Sequence, residues 1–183
     1  MRPWKRIDPT IVTKIDYQDM VVKTFKTPDG KTATRAIFLA ESKKAAGVIA
    51  ITKDYKVIVA RQFRPGPEKI MDEIPGGYVE ENEEPEQAAR RELMEETGYT
   101  AGEMTFLGEF GRDAYMNGRW HYYLAKDCMK SNKQQLDHDE FVTIELLSIQ
   151  EFIDGAKNDH MTDMAAVLVA YDQLKELEKG GGR

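Results

Sequence analysis

The stretch from Gly76 to Tyr99 constrains this chain more than any other. It opens on the pair Gly76-Gly77 and closes on Gly98. Pro85 suits a first helical position and Gly98 suits the residue after a last turn, so a helix is predicted from near Pro85 to Gly98. Ala88, Ala89, Leu93 and Met94 give that helix an apolar stripe. Glu92 and Glu96 lie four residues apart and therefore side by side. Arg91 and Glu95 form a separate face one step round, where opposite charges pair.

Stacked carboxylates of this kind destabilise an isolated helix by roughly 0.2–0.5 kcal/mol. They also sit at the helix C-terminus, where the dipole disfavours anions. A sequence shaped by stability alone would not place Glu92, Glu95 and Glu96 there. A divalent cation removes both penalties. With no His or Cys in the stretch, hard oxygen ligands suit Mg²⁺ or Mn²⁺ rather than zinc. The ordinary meaning of a charge run is a solvated face. Here the diglycine ahead of the helix favours a metal, because its backbone can approach an ion closely.

The 183 residues suit one domain with a small N-terminal extension. Hydrophobic residues at 41% and charged residues at 32% are ordinary for a folded protein. A single cysteine, Cys128, excludes an internal disulfide; it is expected to be a packing residue in a protein of the reducing cytoplasm. No apolar run reaches the length of a membrane span, and no signal core follows the basic start Met1 to Arg6, so no membrane partner is expected. A net charge of -6 argues against nucleic acid as a partner, since a general binder must neutralise phosphates. The acidity concentrates between Asp72 and Glu96, which would repel a small anionic substrate unless a cation bridged the two.

Along the chain, Thr10 to Ile15, Met20 to Lys26 and Thr32 to Leu39 read as a β-meander, with a turn at Pro28-Asp29-Gly30. Ala46 to Thr52 and Lys56 to Arg64 are more continuously apolar and are expected as buried strands joined at Asp54-Tyr55. Pro65-Gly66-Pro67 and Ile74-Pro75-Gly76-Gly77 are read as sheet breakers. Strands are expected again at Thr105 to Phe110, His121 to Ala125 and Phe141 to Leu147, with loops at Asp113 to Arg119 and Lys130 to Glu140. Two helices, Ile149 to Ala156 and Met161 to Leu177, are expected to close the chain before a frayed glycine-rich end.

The stretch resembles the Nudix box, G-x5-E-x7-R-E-U-x-E-E-x-G-U with U a bulky apolar residue. Gly77, Glu83, Arg91, Glu92, Leu93, Glu95, Glu96 and Gly98 fall on it. Seven fixed identities, each of about 5–7% abundance, do not coincide at this spacing by accident. Tyr99 departs from the usual aliphatic residue at a packing position. Val57 to Arg64 and Glu73-Ile74-Pro75-Gly76-Gly77 are similar to the ADP-ribose and nucleoside-diphosphate-sugar pyrophosphatase branch. The resemblance implies an α/β fold: an α/β/α sandwich around a mixed β-sheet, residues 45–183. Residues 1–44 form an N-terminal β-region of the kind that often builds a homodimer.

It also implies roles. Glu92 and Glu96 are metal ligands, and the Gly76 carbonyl is the backbone ligand. Glu95 is a further ligand or the ion-pair partner of Arg91. Glu83 supports the helix or an outer metal, or is a solvated capping acid. The catalytic base comes from Asp137-His138-Asp139-Glu140, with Glu140 favoured and Asp139 the alternative. Arg64 contacts phosphate, bidentately where geometry allows. Glu73 contacts the nucleoside side. Arg112, Tyr115, Asn117 and Arg119 are sugar-pocket candidates, and Trp4 and Tyr17 are aromatics able to stack on a base. The proline that ADP-ribose pyrophosphatases carry beyond the box is absent from Gly111 to Gly118. The expected substrate is therefore the wider class of nucleoside-diphosphate sugars, ADP-ribose or GDP-mannose among them. Dinucleoside polyphosphates, or a nucleotide-binding module without catalysis, are the alternatives.

Overall fold

The structure is a computed structural model that describes residues 2–15, 18–38, 44–136 and 141–181. The chain forms two compact units, one of Met1–Lys44 with Gly111–Arg119 and one of Ala45–Phe110 with Trp120–Arg183.

In the first unit, β1 (Lys5–Ile15), β2 (Gln18–Lys26) and β3 (Thr32–Phe38) make an antiparallel meander in the order β1-β2-β3. β1 starts earlier than its apolar pattern predicts. Its register slips between Ile7 and Ile11, around Pro9, which has no N–H for a ladder and is tolerated on an edge strand. The Gly111–Arg119 segment joins this unit through β3: the Phe38 amide donates to the Tyr115 carbonyl at 2.8 Å, and the Asn117 amide to the Phe38 carbonyl at 3.1 Å.

The second unit is built on an eight-stranded mixed sheet. Its strands are β4 (Lys44–Thr52), β5 (Lys56–Arg64), β6 (Lys69–Glu73), β7 (Gly76–Tyr78), β8 (Tyr99–Thr100), β9 (Met104–Phe110), β10 (Arg119–Lys130) and β11 (Thr143–Ser148). The order β11-β5-β4-β10-β8 forms the spine, with β6 on β5, β7 on β4 and β9 on β10. The apolar runs of β4 and β5 are continuous because both faces are covered. Ile49, Ile51, Val57 and Val59 face one core with Phe152, Ile153, Val167 and Leu174. Ala46, Val48, Ala50 and Ile58 face the other, with Ala88, Ala89 and Leu93 of α1 (Pro85–Thr97). The other face is covered by α2 (Ile149–Lys157), α3 (Met164–Val169) and α4 (Tyr171–Gly181). Cys128 is buried in the α1 core, and burial pushes its thiol up to about 11.

Helix α1 ends as its sequence predicts. Gly98 adopts φ 74, and its amide donates to the Met94 carbonyl at 2.8 Å. A Cβ there would meet the Asn132 carbonyl oxygen at 2.4 Å, so both backbone angle and space require glycine.

Three expectations are corrected. The segment Gly76-Gly77 does not break the sheet; it is β7, paired with β4 at Gly47↔Gly76 and Ala46↔Gly77. The single helix expected over Met161 to Leu177 is two. His160 and Met161 are drawn onto β6, where the Asp72 amide donates to the His160 carbonyl at 2.9 Å, so the helix starts only at Met164. Ala170, the C-cap at φ -92 and ψ 0, then separates α3 from α4. Finally, of the frayed end expected over Lys179 to Arg183, the part through Gly181 is helical in α4, and Gly182 and Arg183 lie outside the described residues. Gly180 and Gly181 lie on the Tyr55 ring, and a Cβ at Gly181 would be 2.8 Å from Tyr55 Cγ.

Leu93 is completely buried between α1 and the sheet. Leu93→Ala is expected to cost about 2–5 kcal/mol, read as a lowered midpoint in chemical denaturation.

Candidate active site

β7 passes directly beneath the carboxylate face of α1. A Cβ added to Gly77 would lie 2.3 Å from Glu92 Oε1, and one added to Gly76 would lie 2.5 Å from the Ala46 carbonyl oxygen. The Gly76 amide donates to Glu96 Oε2 at 3.1 Å. Glu92 and Glu96 therefore converge on one bare piece of backbone. Glu96 is buried, at 8% exposure, and the Glu92 side chain is largely covered.

Arg91 organises the acids around it. Its Nη1 donates to Glu92 Oε1 at 2.8 Å and to Glu95 Oε2 at 3.0 Å. Its Nε and Nη2 grip Glu83 at 3.0 and 3.1 Å, and Nη2 also reaches the Tyr78 carbonyl at 3.1 Å. The surrounding carboxylates, Glu83 foremost, hold the guanidinium more firmly protonated than usual. Glu83 is not a solvated cap. Its Oε2 also accepts the Glu80 amide at 3.0 Å, so it ties the turn after β7 to the helix through Arg91. Glu95 is an ion-pair partner of Arg91, one of the two roles anticipated for it.

Arg64 and Glu73, foreseen as separate contacts, pair with each other. Arg64 Nε donates to Glu73 Oε1 at 2.6 Å and Nη2 to Glu73 Oε2. Gln62 Nε2 donates to Glu73 Oε2 at 3.3 Å. The bond to Glu73 raises the Arg64 pKa, and the charges of Glu96 and Asp163 add to the effect. Arg64 is thus in the same electrostatic neighbourhood as the α1 carboxylates. Asp163, buried ahead of α3, had no motif to single it out. It arrives beside β6 because His160 and Met161 pair there.

Tyr115 belongs to the first compact unit, where its amide donates to Asp113 Oδ1 at 2.6 Å. Arg112, Asn117 and Arg119 share that unit. Trp4 meets Phe25 edge-on and lies under Arg35, 5.5 Å from the ring centroid. Tyr17, His138, Asp139 and Glu140 lie outside the described residues.

Residues 41–169 match the profile of the NUDIX domain. An ADP-ribose pyrophosphatase of Bacillus subtilis is 35% identical over 161 residues, spanning 86% of this chain and 86% of its own. The methanol dehydrogenase activator of Bacillus methanolicus is 36% identical over 179 residues, spanning 94% of this chain and 96% of its own. The crystal structure of an ADP compounds hydrolase superposes with a TM-score of 0.80 over 96% of each chain. At 18% identity, that likeness shows the fold alone.

Two outcomes follow from the geometry. In Gly77→Ala the new methyl collides with the carboxylate end of a side chain rather than with backbone, so the protein should fold while Glu92 is displaced from its place against Gly77 and Arg91. A crystal structure showing Glu92 unmoved would contradict the close approach. The Glu83 carboxyl is held below its ordinary 4.5, chiefly by Arg91. The stabilisation is therefore present above that ordinary value and is lost as pH falls through the lowered folded one. Thermal melts across the acid range should show a shallower decline for Glu83→Gln than for the wild type.

Proposed function

Because the chain belongs to the Nudix family, hydrolases of phosphoanhydride bonds, we propose that it is a Mg²⁺-dependent pyrophosphohydrolase of nucleoside-diphosphate sugars. ADP-ribose-like and GDP-mannose-like compounds are the substrate class, and Mn²⁺ is the alternative ion. Water attacks one phosphorus of the diphosphate, a new P–O bond forms, and the P–O–P bridge breaks to give a nucleoside monophosphate and a sugar phosphate. The observation that carries the reading is the convergence of Glu92 and Glu96 on the backbone of Gly76 and Gly77.

The donors fit a hard divalent ion: two carboxylates against backbone that carries no side chain. Among the described residues, no three His, Cys, Asp or Glu side chains form a ready coordination group. The remaining positions fall to the Gly76 carbonyl and to oxygens of water and substrate, as is usual for Mg²⁺. Such an ion, when bound, neutralises diphosphate charge and acidifies a coordinated water.

The chain's own residues do the rest. Arg91 fixes the orientation of Glu92 and Glu95, and Glu83 fixes Arg91. Arg64, held in line by Glu73, is the group suited to grip the diphosphate. Glu140 is the proposed base that takes the proton of the attacking water, with Asp139 the alternative.

A homodimer through the N-terminal unit is part of the proposal. Residues 1–44 carry ten lysines and arginines against five acids in a chain that is acidic overall. On the edge strand β1, the adjacent Ile11 and Val12 are both exposed, so apolar surface is presented on both faces. A cytoplasmic location is proposed from the single, buried cysteine. Among the described residues, no helix is long and apolar enough to cross a membrane.

The methanol dehydrogenase activator, similar across nearly the whole chain, supports a second reading in which the protein regulates an enzyme. One panel separates the readings. With Mg²⁺, the protein should release phosphomonoesters from ADP-ribose, GDP-mannose or UDP-glucose. Preference for diadenosine tetraphosphate would move the substrate to dinucleoside polyphosphates, and no turnover of any would favour the regulatory reading. Glu96→Gln should lower turnover by about a hundredfold or more; a near wild-type rate at saturating Mg²⁺ would refute its role. Glu140→Gln should lower kcat with metal and substrate affinity largely kept. If Asp139→Asn is the damaging change instead, Asp139 is the base.

A further inference from the structure

The last turn of α1 has carbonyls that no residue within the helix can satisfy, and the segment after β10 supplies donors to them. The Ser131 and Asn132 amides donate to the Gly98 carbonyl at 2.9 and 3.1 Å, and the Gln135 amide donates to the Glu95 carbonyl at 2.7 Å. To these backbone caps Gln134 adds a side chain. Its carboxamide nitrogen donates to the Glu96 carbonyl at 2.7 Å and lies 3.4 Å from the Val142 carbonyl, ahead of β11. Glu96 is therefore held twice, by the Gly76 amide at its carboxylate and by Gln134 at its backbone.

We propose that Gln134 is a positioning residue that fixes Glu96 for a divalent cation. The proposal rests on the reading of Glu96 as a metal ligand. The chemistry of the side chain supports it. Three glutamates and the negative end of the helix dipole crowd this turn. A lysine would satisfy the same carbonyl but would bring a charge that competes with a cation for the carboxylates. A carboxamide donates without adding charge. The other caps already close the helix through their backbones, so what Gln134 contributes is control of the one residue whose carboxylate is buried against Gly76.

Mn²⁺ binding, followed by electron paramagnetic resonance of the free ion well below each variant's melting temperature, tests this. Gln134→Leu should weaken Mn²⁺ binding about tenfold. Gln135→Leu removes an identical carboxamide from a residue that meets α1 through its backbone, and should leave binding within about twofold. Gln134→Met keeps an unbranched stem and serves if the leucine variant does not fold. Glu96→Gln, run in parallel, should lose most of the binding. If Glu96→Gln loses it and Gln134→Leu or Gln134→Met melts earlier but binds Mn²⁺ as the wild type does, the glutamine is merely structural and the proposal fails. If Glu96→Gln itself binds normally, the metal reading fails and the proposal falls with it. Equal weakening by Gln134→Leu and Gln135→Leu would also overturn it.

Discussion

The contact on which the site depends is steric: a helix face bearing glutamates rests on two residues that have no side chains. Glu92 occupies the space in which a Cβ on Gly77 would sit, and the Gly76 amide is close enough to bond Glu96. That approach is possible because β7 is hydrogen-bonded to β4 while α1 is packed on the same part of the sheet through Ala88, Ala89 and Leu93. The apolar face of α1 sets the height of the helix above the sheet. The diglycine leaves room for its polar face to be buried with it.

Burying carboxylates is costly unless they are bonded or paired, and the surroundings divide that task. Arg91 answers Glu83, Glu92 and Glu95 with one guanidinium. Glu96 is answered by a backbone amide and lies in the field of Arg64, whose closest partner is Glu73. Negative charge remains in excess across this set. On the proposed reading, that excess meets a divalent cation and, through it, an anionic substrate. Arg91, bonded to three of these acids at once, offsets their mutual repulsion, and Arg64 does the same for Glu73.

Elements whose cause is local were legible in the chain. Pro85 and Gly98 bound α1, and the run from Lys56 to Arg64 is β5 from end to end. The pairing of Arg91 with Glu95 followed from helical spacing alone. Elements whose cause lies elsewhere were not legible. Gly76-Gly77 looks like a breaker by propensity, and becomes a strand because β4 offers it a ladder and α1 a lid of carboxylates. The C-terminal helix is cut short because the His160 carbonyl accepts the Asp72 amide of β6 and Met161 bridges to Asp72. The glycines at 180 and 181 read as a loose end and are instead a flat surface for Tyr55.

The sequence by itself determined which acidic side chains share a helix face, because a helical period of 3.6 residues is a local rule that places Glu92 beside Glu96 wherever the helix goes. It determined the limits of that helix for the same reason, through a proline and a left-handed glycine. Only the tertiary structure decided what those side chains face. The partners come from 15 to 20 residues earlier at Gly76 and Gly77 and from 38 residues later at Gln134. Contacts at that separation depend on how strands pair and how the helix packs, which no local pattern in the chain encodes.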